Sequence, residues 1–209
     1  MESYRLATKN ELNEIATLFT ESFLEYPLFT YILAGSNHYK QLLFKLNYIN
    51  TRCFFQQKSC FVGTLDGKIV SVILLKKRGS HSPTLVQYLR NGGLSLLTQI
   101  GLRRLIKLIR TLEHMKEACM KDSKESWYVE GLAVAKGYQG RNLGSKLFES
   151  FIFPYISEQG GGRLTLVTHT ELNTKFYRKN GFEIFSEYRI GSDDNHITNY
   201  SLQRNIGLK

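Results

Sequence analysis

One stretch constrains the fold of this chain more than any other: residues 127–148 read WYVEGLAVAKGYQGRNLGSKLF. The apolar run Trp127–Val134 predicts a strand, and the glycine-bearing residues 137–144 predict a tight loop. Apolar residues at helical spacing follow from Leu143 onward and predict a helix. A helix N-terminus presents unpaired N–H groups and the positive end of its dipole. The junction is therefore suited to bind an anion, most often a phosphate.

The glycine spacing excludes two common phosphate-binding loops. A Walker loop would need a glycine at position 139 and a lysine after Gly144, but the chain has Gln139 and Ser145 there. No G-x-G-x-x-G motif occurs, which disfavours a dinucleotide-binding fold. The remaining pattern is QGRNLG at residues 139–144. Taken alone, this loop could also be a strand-to-helix turn without a ligand.

Length and composition are those of a soluble globular protein. The 209 residues, 42% hydrophobic and 22% charged, predict one domain spanning residues 1–209. The apolar runs are too short to span a bilayer, and the N-terminus resembles no signal or transit peptide. Cys53, Cys60 and Cys119 form no C-x-x-C pair and indicate reduced thiols in the cytoplasm. The five histidines show no ligand spacing, so no metal site is expected.

The net charge is +10, from 28 basic and 18 acidic residues. Such a balance can serve nucleic acid, a membrane surface or an anionic cofactor. The basic residues are dispersed, and no nucleic-acid motif accompanies them. The sequence therefore predicts solvated basic faces with a general attraction for polyphosphate, and neither a nucleic-acid nor a membrane partner.

The order of elements predicts an α/β fold. One strand, two helices and a hairpin turning at Asp66–Gly67 come first, and the segment around residues 83–122 then interrupts the rhythm with helices. Strand, helix, strand, helix and two strands follow, which makes a mixed sheet. The interrupting segment predicts one long amphipathic helix that starts at residues 91–93. Its apolar side carries Leu94, Leu97, Leu105, Leu108, Leu112 and Met115, and its basic side carries Arg103, Arg104, Lys107 and Arg110. A basic amphipathic helix can lie on a membrane, but we expect this one to pack on the domain with its basic side in water. It also has room to cover an active-site cleft, which is the functional role we favour for it.

Two motifs carry a resemblance to a known family. The segment 139–144 resembles the pyrophosphate loop of the GNAT superfamily of acyl-CoA-dependent N-acyltransferases, whose pattern is Arg or Gln, two residues, Gly, one residue, then Gly or Ala. Asn142 stands where the first glycine is usual, and Asn is a good substitute at a left-handed backbone position. The segment TKFYRKNGFEIF resembles the closing motif of the superfamily, with matches at Asn173, Phe176, Tyr177, Gly181 and Phe182. The N-terminal RLAT, the Phe23…Tyr26-Pro27 segment, Trp127–Tyr128 and the helical insertion before the central strand resemble the puromycin N-acetyltransferase-like branch.

The resemblance implies a GNAT-like fold: a mixed, mostly antiparallel central sheet flanked by helices, with the helical insertion before the central strand. It implies acetyl-CoA as the cofactor. The pantetheine arm would lie along the backbone of Leu132, Ala133 and Val134 on the splayed central strand. The pyrophosphate would be held by Gln139, Gly140, Arg141, Asn142, Leu143, Gly144 and Ser145. Asn173 and Phe176 would contact the cofactor from the other side of the cleft, although Asn173 could equally cap its helix.

The chemistry of amine acetylation needs a proton donor and a proton acceptor. Tyr177, in the closing motif, is the candidate general acid, because a phenol is protonated at neutral pH; it could also be a core residue between Phe176 and Phe182. Glu130, inside an apolar strand, is the candidate base; it could also be an ion-pair partner or a site for the cationic substrate. Alternation along the strand predicts that Tyr128, Glu130 and Leu132 share a face towards the cleft. His169 is a second candidate base.

The acceptor pocket is expected to draw on Phe23, Tyr26, Phe29, Tyr31 and Tyr128, together with the insertion. The acceptor itself, a small-molecule amine or a protein amine, stays open, as does the choice between monomer and homodimer. We expect direct transfer in a ternary complex. The alternatives are a covalent route through Cys119 or Cys60, a non-catalytic acyl-CoA-binding regulator on the same fold, and a nucleic-acid-binding protein.

Overall fold

The computed structural model describes residues 2–33, 35–36, 38–121 and 124–207. Seven strands form one sheet in the order β1-β2-β3-β4-β5-β7-β6. All neighbours are antiparallel except β4 and β5, which run parallel. The strands are β1 (Glu2–Leu6), β2 (Cys60–Leu65), β3 (Lys68–Lys76), β4 (Ser126–Val134), β5 (Gly162–Thr168), β6 (Glu183–Ser192) and β7 (Asn195–Ile206). The predicted mixed, mostly antiparallel sheet is confirmed.

Helices cover both faces of this sheet. They are α1 (Leu12–Phe23), α2 (Pro27–Ile32), α3 (Tyr39–Gln56), α4 (Leu85–Tyr88), α5 (Leu94–Ile100), α6 (Leu102–Met120), α7 (Leu143–Leu147), α8 (Phe153–Glu158) and α9 (Glu171–Lys179). A π-helical turn at Phe148–Ile152 joins α7 to α8. The predicted hairpin between β2 and β3 is confirmed, with both Asp66 and Gly67 at positive φ.

Two hydrophobic clusters hold the helices to the sheet. Phe148, Ile152 and Ile156 of the α7–α8 run pack with Trp127 and Val129 of β4 in the first cluster. The second joins α1, α3 and the opposite face of the sheet, with members that include Ile15, Phe19, Phe54, Val62, Val72 and Ala133. Because β4 lies in the middle of the sheet, its side chains contribute to both clusters.

The feature that creates a cleft is the parting of β4 from β5. These strands pair only from Ser126 to Val129 on β4, against Arg163 to Leu166 on β5. Beyond this point β4 stays paired with β3 as far as Val134, and β5 stays paired with β7 as far as Thr168. The two central strands therefore open like a V, and the second half of β4 turns one edge of its backbone to the gap.

A β-bulge changes which side chains of β4 share a face. The register against β3 shifts where Gly131 pairs with Leu74 and Val129 with Leu75, so Glu130 is the extra residue. Tyr128 and Glu130 face Lys116 of α6. Leu132 instead packs with the α7–α8 cluster. The extra residue therefore inverts the predicted alternation at Leu132, although Tyr128, Glu130 and Leu132 all line the cleft as predicted.

The segment expected to form one long helix is broken. Leu85–Gly93 forms a short helix and a π turn, and Gly101, at φ 75°, separates α5 from α6. The prediction that Leu94 belongs to the buried side is wrong, since it is 61% exposed; the side chain of Leu97 lies outside the described part. Leu105, Leu108 and Met115 are buried as predicted. The predicted basic side is in solvent: Arg103, Arg104, Lys107 and Arg110 are exposed.

Candidate active site

A cavity of about 910 Å³ lies where β4 and β5 part. Helices α1, α2, α3 and α6 and the segment before α5 form its other walls, so the insertion covers the cleft as expected. One end is aromatic, lined by Phe19, Phe23, Tyr26, Phe29 and Tyr128. Rings of Phe23, Tyr26 and Phe29 contact one another, with centroids 5.4–6.3 Å apart. The predicted pocket residues Phe23, Tyr26, Phe29 and Tyr128 thus meet in one place, whereas Tyr31 packs in a separate cluster with Leu28, Met115 and Ile197.

The hydroxyl group of Tyr26 organises the end of β5. The backbone N–H of His169 donates to Tyr26 Oη at 3.0 Å, and Thr168 Oγ1 lies 3.0 Å from the same oxygen. Asn173 Nδ2 donates to Thr168 Oγ1 at 3.1 Å. Tyr26 Oη is also 3.1 Å from His169 Nδ1. Tyr26 Oη thus lies within hydrogen-bonding distance of the backbone N–H of His169, of Thr168 Oγ1 and of His169 Nδ1.

His169 is poorly suited to collect a proton. It is buried, and burial lowers its pKa from 6.5 to about 4. Asn199 offsets part of this effect on the pKa, although no hydrogen bond with normal geometry joins the two side chains. Since Nδ1 is engaged by Tyr26, the geometry disfavours His169 as the base.

Tyr177 is both a packed residue and a wall of the cavity. Its ring contacts Phe148, Phe176 and Phe182 edge-on, with centroids 5.1–6.2 Å apart. Burial raises its pKa above the ordinary value, with a smaller contribution from the nearby phenol of Tyr26. Tyr177 is therefore protonated at neutral pH, and it lines the cavity beside Thr168 and Asn173.

Glu130 is engaged by a residue that the sequence did not single out. Its carboxylate forms an ion pair with Lys116 of α6, and the side chains are 11% and 25% exposed respectively. The Lys116 ammonium also lies 5.7 Å from the ring centre of Tyr128. Lys116 follows the buried Leu108 and the cavity-lining Leu112 at four-residue steps, and this spacing was the signal in the sequence.

The glycine-bearing loop has the geometry of an anion cradle. Gly140 is at φ 75° with open space on its Cβ side. Asn142 is at φ 64°, ψ 11°, which is the left-handed conformation expected where a glycine is usual. It immediately precedes α7, whose first N–H groups have no helical partner. Lys179 Nζ donates to Asn142 Oδ1 at 3.2 Å, and the Ser145 hydroxyl is buried without a partner among the described residues.

Gly144 of α7 packs directly against the ring of Phe176 on α9. A Cβ atom on Gly144 would lie 3.0 Å from Phe176 Cζ, so the missing side chain lets α7 and α9 approach each other. Leu143 is buried beside them, and Arg141 is exposed over the ring of Tyr138. Helix α9 begins at Glu171, and Thr170 caps it by accepting from the backbone N–H of Asn173. The alternative that Asn173 caps this helix is therefore wrong.

Along the second half of β4, the backbone N–H and C=O groups point alternately to β3 and into the gap. The N–H of Ala135 donates to the carbonyl of Val70 on β3, so Ala133 also points its backbone groups to β3. Leu132 and Val134 point theirs into the gap. The Val134 carbonyl accepts from Gln139 Nε2 at 2.9 Å and from Ser22 Oγ at 3.3 Å. Ala133 is paired with β3 and buried in the core, so its backbone groups do not face the gap, and its role as a cofactor contact stays a prediction.

Among the described residues, no group of three or more His, Cys, Asp or Glu side chains could hold a metal ion. Within the same ranges, no helix is both long and apolar enough to cross a membrane.

Comparisons with known proteins bear on this geometry. A family profile described as acetyltransferase (GNAT) domain matches residues 107–184, whereas no curated protein matches the sequence. The fold is similar to arylalkylamine N-acetyltransferase 2 from Aedes aegypti (TM-score 0.68, 13% identity, 99% of each chain covered). It is also similar to a Drosophila melanogaster polyamine N-acetyltransferase (TM-score 0.63, 16% identity, 98% of this chain and 100% of that chain covered). A third similar structure is a histone acetyltransferase HPA2-related acetyltransferase from Corynebacterium glutamicum (TM-score 0.65, 17% identity, 100% and 98% covered).

These matches establish the class of fold. The match to the GNAT acetyltransferase domain model is confined to residues 107–184, and the whole chain has the same fold as these solved N-acetyltransferases. At identities of 13–17%, the structural likeness shows the fold alone.

Proposed function

We propose that this chain is an acetyl-CoA-dependent N-acetyltransferase that acetylates a primary amine by direct transfer in a ternary complex. The observation that carries this proposal is the parting of β4 from β5 directly beside the Gln139–Gly144 loop. The V opens the backbone edge of β4, and the loop supplies N–H groups at the head of α7. One extended, phosphate-bearing ligand could use both at once.

The residues present fit this cofactor. The backbone groups of Leu132 and Val134 that face the gap would hold the amide-bearing pantetheine arm, and Asn173 would line its other side. The N–H groups of residues 140–145 would hold the pyrophosphate. The left-handed Asn142, the open space at Gly140 and the unpartnered hydroxyl of buried Ser145 support this assignment. Acetyl-CoA, when bound, supplies an acetyl group activated as a thioester.

The acceptor end of the cavity supports an amine with an apolar body. The aromatic rings of Phe23, Tyr26, Phe29 and Tyr128 form a wall suited to apolar groups, and they offer faces to a cation. The solved structures with this fold include enzymes named for arylalkylamines and polyamines, which supports a small-molecule amine as the acceptor.

Two side chains are assigned to proton movement. Glu130 takes the proton of the acceptor ammonium group, directly or through water, once its ion pair with Lys116 has opened. Tyr177 donates its hydroxyl proton to the departing sulfur. Because burial raises the pKa of Tyr177, the phenol keeps its proton at neutral pH and has it available for transfer.

Two alternatives receive less support. Burial raises the pKa of Cys119 to about 11 and that of Cys60 to about 12, so neither thiol is ionised at neutral pH as a covalent route would require. A non-catalytic acyl-CoA-binding regulator would use the loop and the edge of β4. It would have no need for an aromatic cavity of about 910 Å³ that reaches Tyr177.

The cysteines and the insertion bear on the compartment and the family branch of the proposed enzyme. The three described cysteines are free and buried, which supports the reducing cytoplasm. The insertion directly before β4 and the Trp127–Tyr128 pair at its start support a place near the puromycin N-acetyltransferase-like branch. We propose that the chain acts as a monomer or homodimer, without nucleic acid or membrane.

The test combines cofactor binding with an amine panel. Acetyl-CoA at ~100 times its dissociation constant should stabilise the fold by about 2.7 kcal/mol, measured by thermal unfolding. Free thiol should be released when a suitable amine is added. Gly140→Glu places a negative charge in the loop, and Gly160→Glu is its matched control. Both glycines have positive φ and open space, so the backbone strain is similar and only Gly140 lies in the loop.

The expected result is a lost thermal shift in Gly140→Glu and a normal shift in Gly160→Glu. An equal shift in both variants would refute the loop assignment. If no amine of the panel causes thiol release although the cofactor binds normally, the non-catalytic regulator is favoured. Gly144 is a poor choice for this test, because any side chain there meets Phe176.

A further inference from the structure

The buried charges of the cavity are concentrated in one ion pair. In the described part of the chain, six charged side chains line the cavity: Arg110, Glu113, Lys116, Glu117, Lys121 and Glu130. Glu117 is 69% exposed, and Arg110, Glu113 and Lys121 are exposed as well, so solvent screens them. Glu130 and Lys116 are the strongly shielded pair, with side chains 11% and 25% exposed. Their ion pair is therefore the strongest electrostatic feature that a ligand inside the cavity would meet.

The surroundings of the Lys116 ammonium are those of a bound primary amine. It is held by a carboxylate, that of Glu130, and it lies 5.7 Å from the ring centre of Tyr128. A carboxylate beside an aromatic face is a common arrangement for binding an ammonium group. The four-carbon stem of Lys116 reaches this point from the cavity-lining helix α6. The side chain thus resembles an alkylamine docked in the cavity.

We propose that Glu130 and Tyr128 form the subsite for the ammonium group of the acceptor, and that Lys116 is an intramolecular competitor for this subsite. The inference rests on the proposed function for the class of acceptor. The acceptor must displace Lys116 from Glu130 before its own nitrogen can lose a proton there. Lys116 thereby weakens the binding of every cationic acceptor and leaves neutral molecules of the same shape unaffected.

Binding measurements test this directly, without turnover. The probe is octylamine, whose chain matches the apolar cavity, and 1-octanol is its uncharged counterpart. Calorimetric titrations are made with CoA present. Lys116→Met keeps the length of the side chain and removes the competing charge. Lys107→Met is the matched control, because it removes the same charge from an exposed position of α6 that does not line the cavity.

The expected result is that Lys116→Met binds octylamine about fivefold more tightly than the unsubstituted protein, while Lys107→Met does not. The affinity for octanol should stay unchanged in both variants. In a Glu130→Gln background the gain from Lys116→Met should vanish, because the competition concerns this carboxylate. Where octylamine is acetylated, Lys116→Met should lower its KM.

Two results would overturn the inference. One is unchanged or weaker octylamine binding in Lys116→Met; the other is an equal gain in the Glu130→Gln background. If the unsubstituted protein acetylates amines in either case, the proposed function survives and only the role of Lys116 fails. Absence of octylamine binding in every variant, with CoA bound normally, would overturn the subsite, whereas the amine panel decides the proposed function separately. If Lys116→Met folds poorly, Lys116→Gln takes its place. This variant also removes the charge but keeps a polar end group, and the same two results would overturn the inference.

Discussion

Tyr177 is enclosed by three aromatic rings, yet it lines the cavity. Both expectations for this residue, a packed core tyrosine and a wall of the active site, are thus compatible with one position. The phenyl ring accounts for the packing and the hydroxyl for the proposed proton transfer. The two contributions can be separated by removing a single oxygen atom.

We predict that Tyr177→Phe lowers turnover by ~10²–10⁴-fold, the usual range for general acid catalysis. The ring contacts survive, so thermal stability and the dissociation constant of acetyl-CoA should change little. Steady-state kinetics with an amine identified in the panel, together with calorimetry of cofactor binding, provide the measurement. Turnover within a factor of about two of the unsubstituted protein would contradict the assignment and leave Tyr177 as a packing residue.

His169 makes the stability of the fold depend on pH. Its pKa is lowered from 6.5 to about 4, so the folded chain stays neutral where the unfolded chain binds a proton. The free energy of unfolding is therefore fully retained above pH 6.5 and falls as the pH is lowered from 6.5 towards 4. The loss from this residue is about 3 kcal/mol over that window.

Urea unfolding across this window tests the prediction. His169→Gln should reduce the loss, because glutamine does not titrate, whereas His81→Gln, at an exposed position, should retain it. Equal slopes for all three proteins would show that His169 does not titrate as stated. The Arg5–Glu11 pair lowers the pKa of Glu11 to about 2, so its contribution is lost in a lower window, from 4.5 towards 2, and can be told apart.

At the scale of elements, the contact of α7 with α9 depends on the absence of a side chain. A Cβ atom on Gly144 would lie 3.0 Å from Phe176 Cζ, while one on Gly137 in the same loop would meet nothing within 4 Å. Neither glycine has a positive φ. The two positions therefore differ in packing and not in backbone strain.

We predict that Gly144→Ala lowers the free energy of unfolding by about 1–2 kcal/mol, as expected of overpacking. Gly137→Ala should be neutral or slightly stabilising, since alanine restricts the unfolded chain. Denaturant unfolding of both variants supplies the comparison. A neutral Gly144→Ala would mean that Phe176 moves aside without cost, and that the closeness of α7 and α9 is not a packing requirement.

At the scale of the whole molecule, the charge of +10 is spread over the surface. Exposed Arg103, Arg104, Lys107 and Arg110 are part of it, and Arg141 and Lys179 lie at the proposed phosphate loop. Such a field raises the local concentration of polyanions and acts over about 10 Å at moderate salt. The charge is therefore relevant to the phosphates of the cofactor.

We predict that raising the salt concentration from about 0.05 M to about 0.5 M weakens CoA binding by about 3- to 10-fold. Pantetheine, which lacks the nucleotide phosphates, should show little change. Calorimetric titrations of both ligands at each salt concentration give the answer. An equal effect on CoA and pantetheine would show that the surface charge plays no part in holding the phosphates.

The sequence by itself determined the order of the strands and the backbone conformation of the loop. Periodicity marked the strands and helices, and the Asp66–Gly67 hairpin followed from the preference of these residues for positive φ. Asn142 in the left-handed conformation followed from the same local steric rule. These features depend on neighbouring residues, which is why a linear sequence can specify them. The aromatic pocket residues near Tyr26–Pro27 were also found, through motif resemblance.

Only the tertiary structure decided which long-range partners these residues meet. The bulge at Glu130 inverted the expected alternation, because it arises from the register with β3 and not from local preference. The ion pair of Glu130 with Lys116 and the hydrogen bonds of Tyr26 with Thr168 and His169 join residues far apart in the chain or on separate elements. Such contacts depend on how helices pack over the parted strands. The side chains that set charge and proton movement in the cavity therefore became visible only in three dimensions.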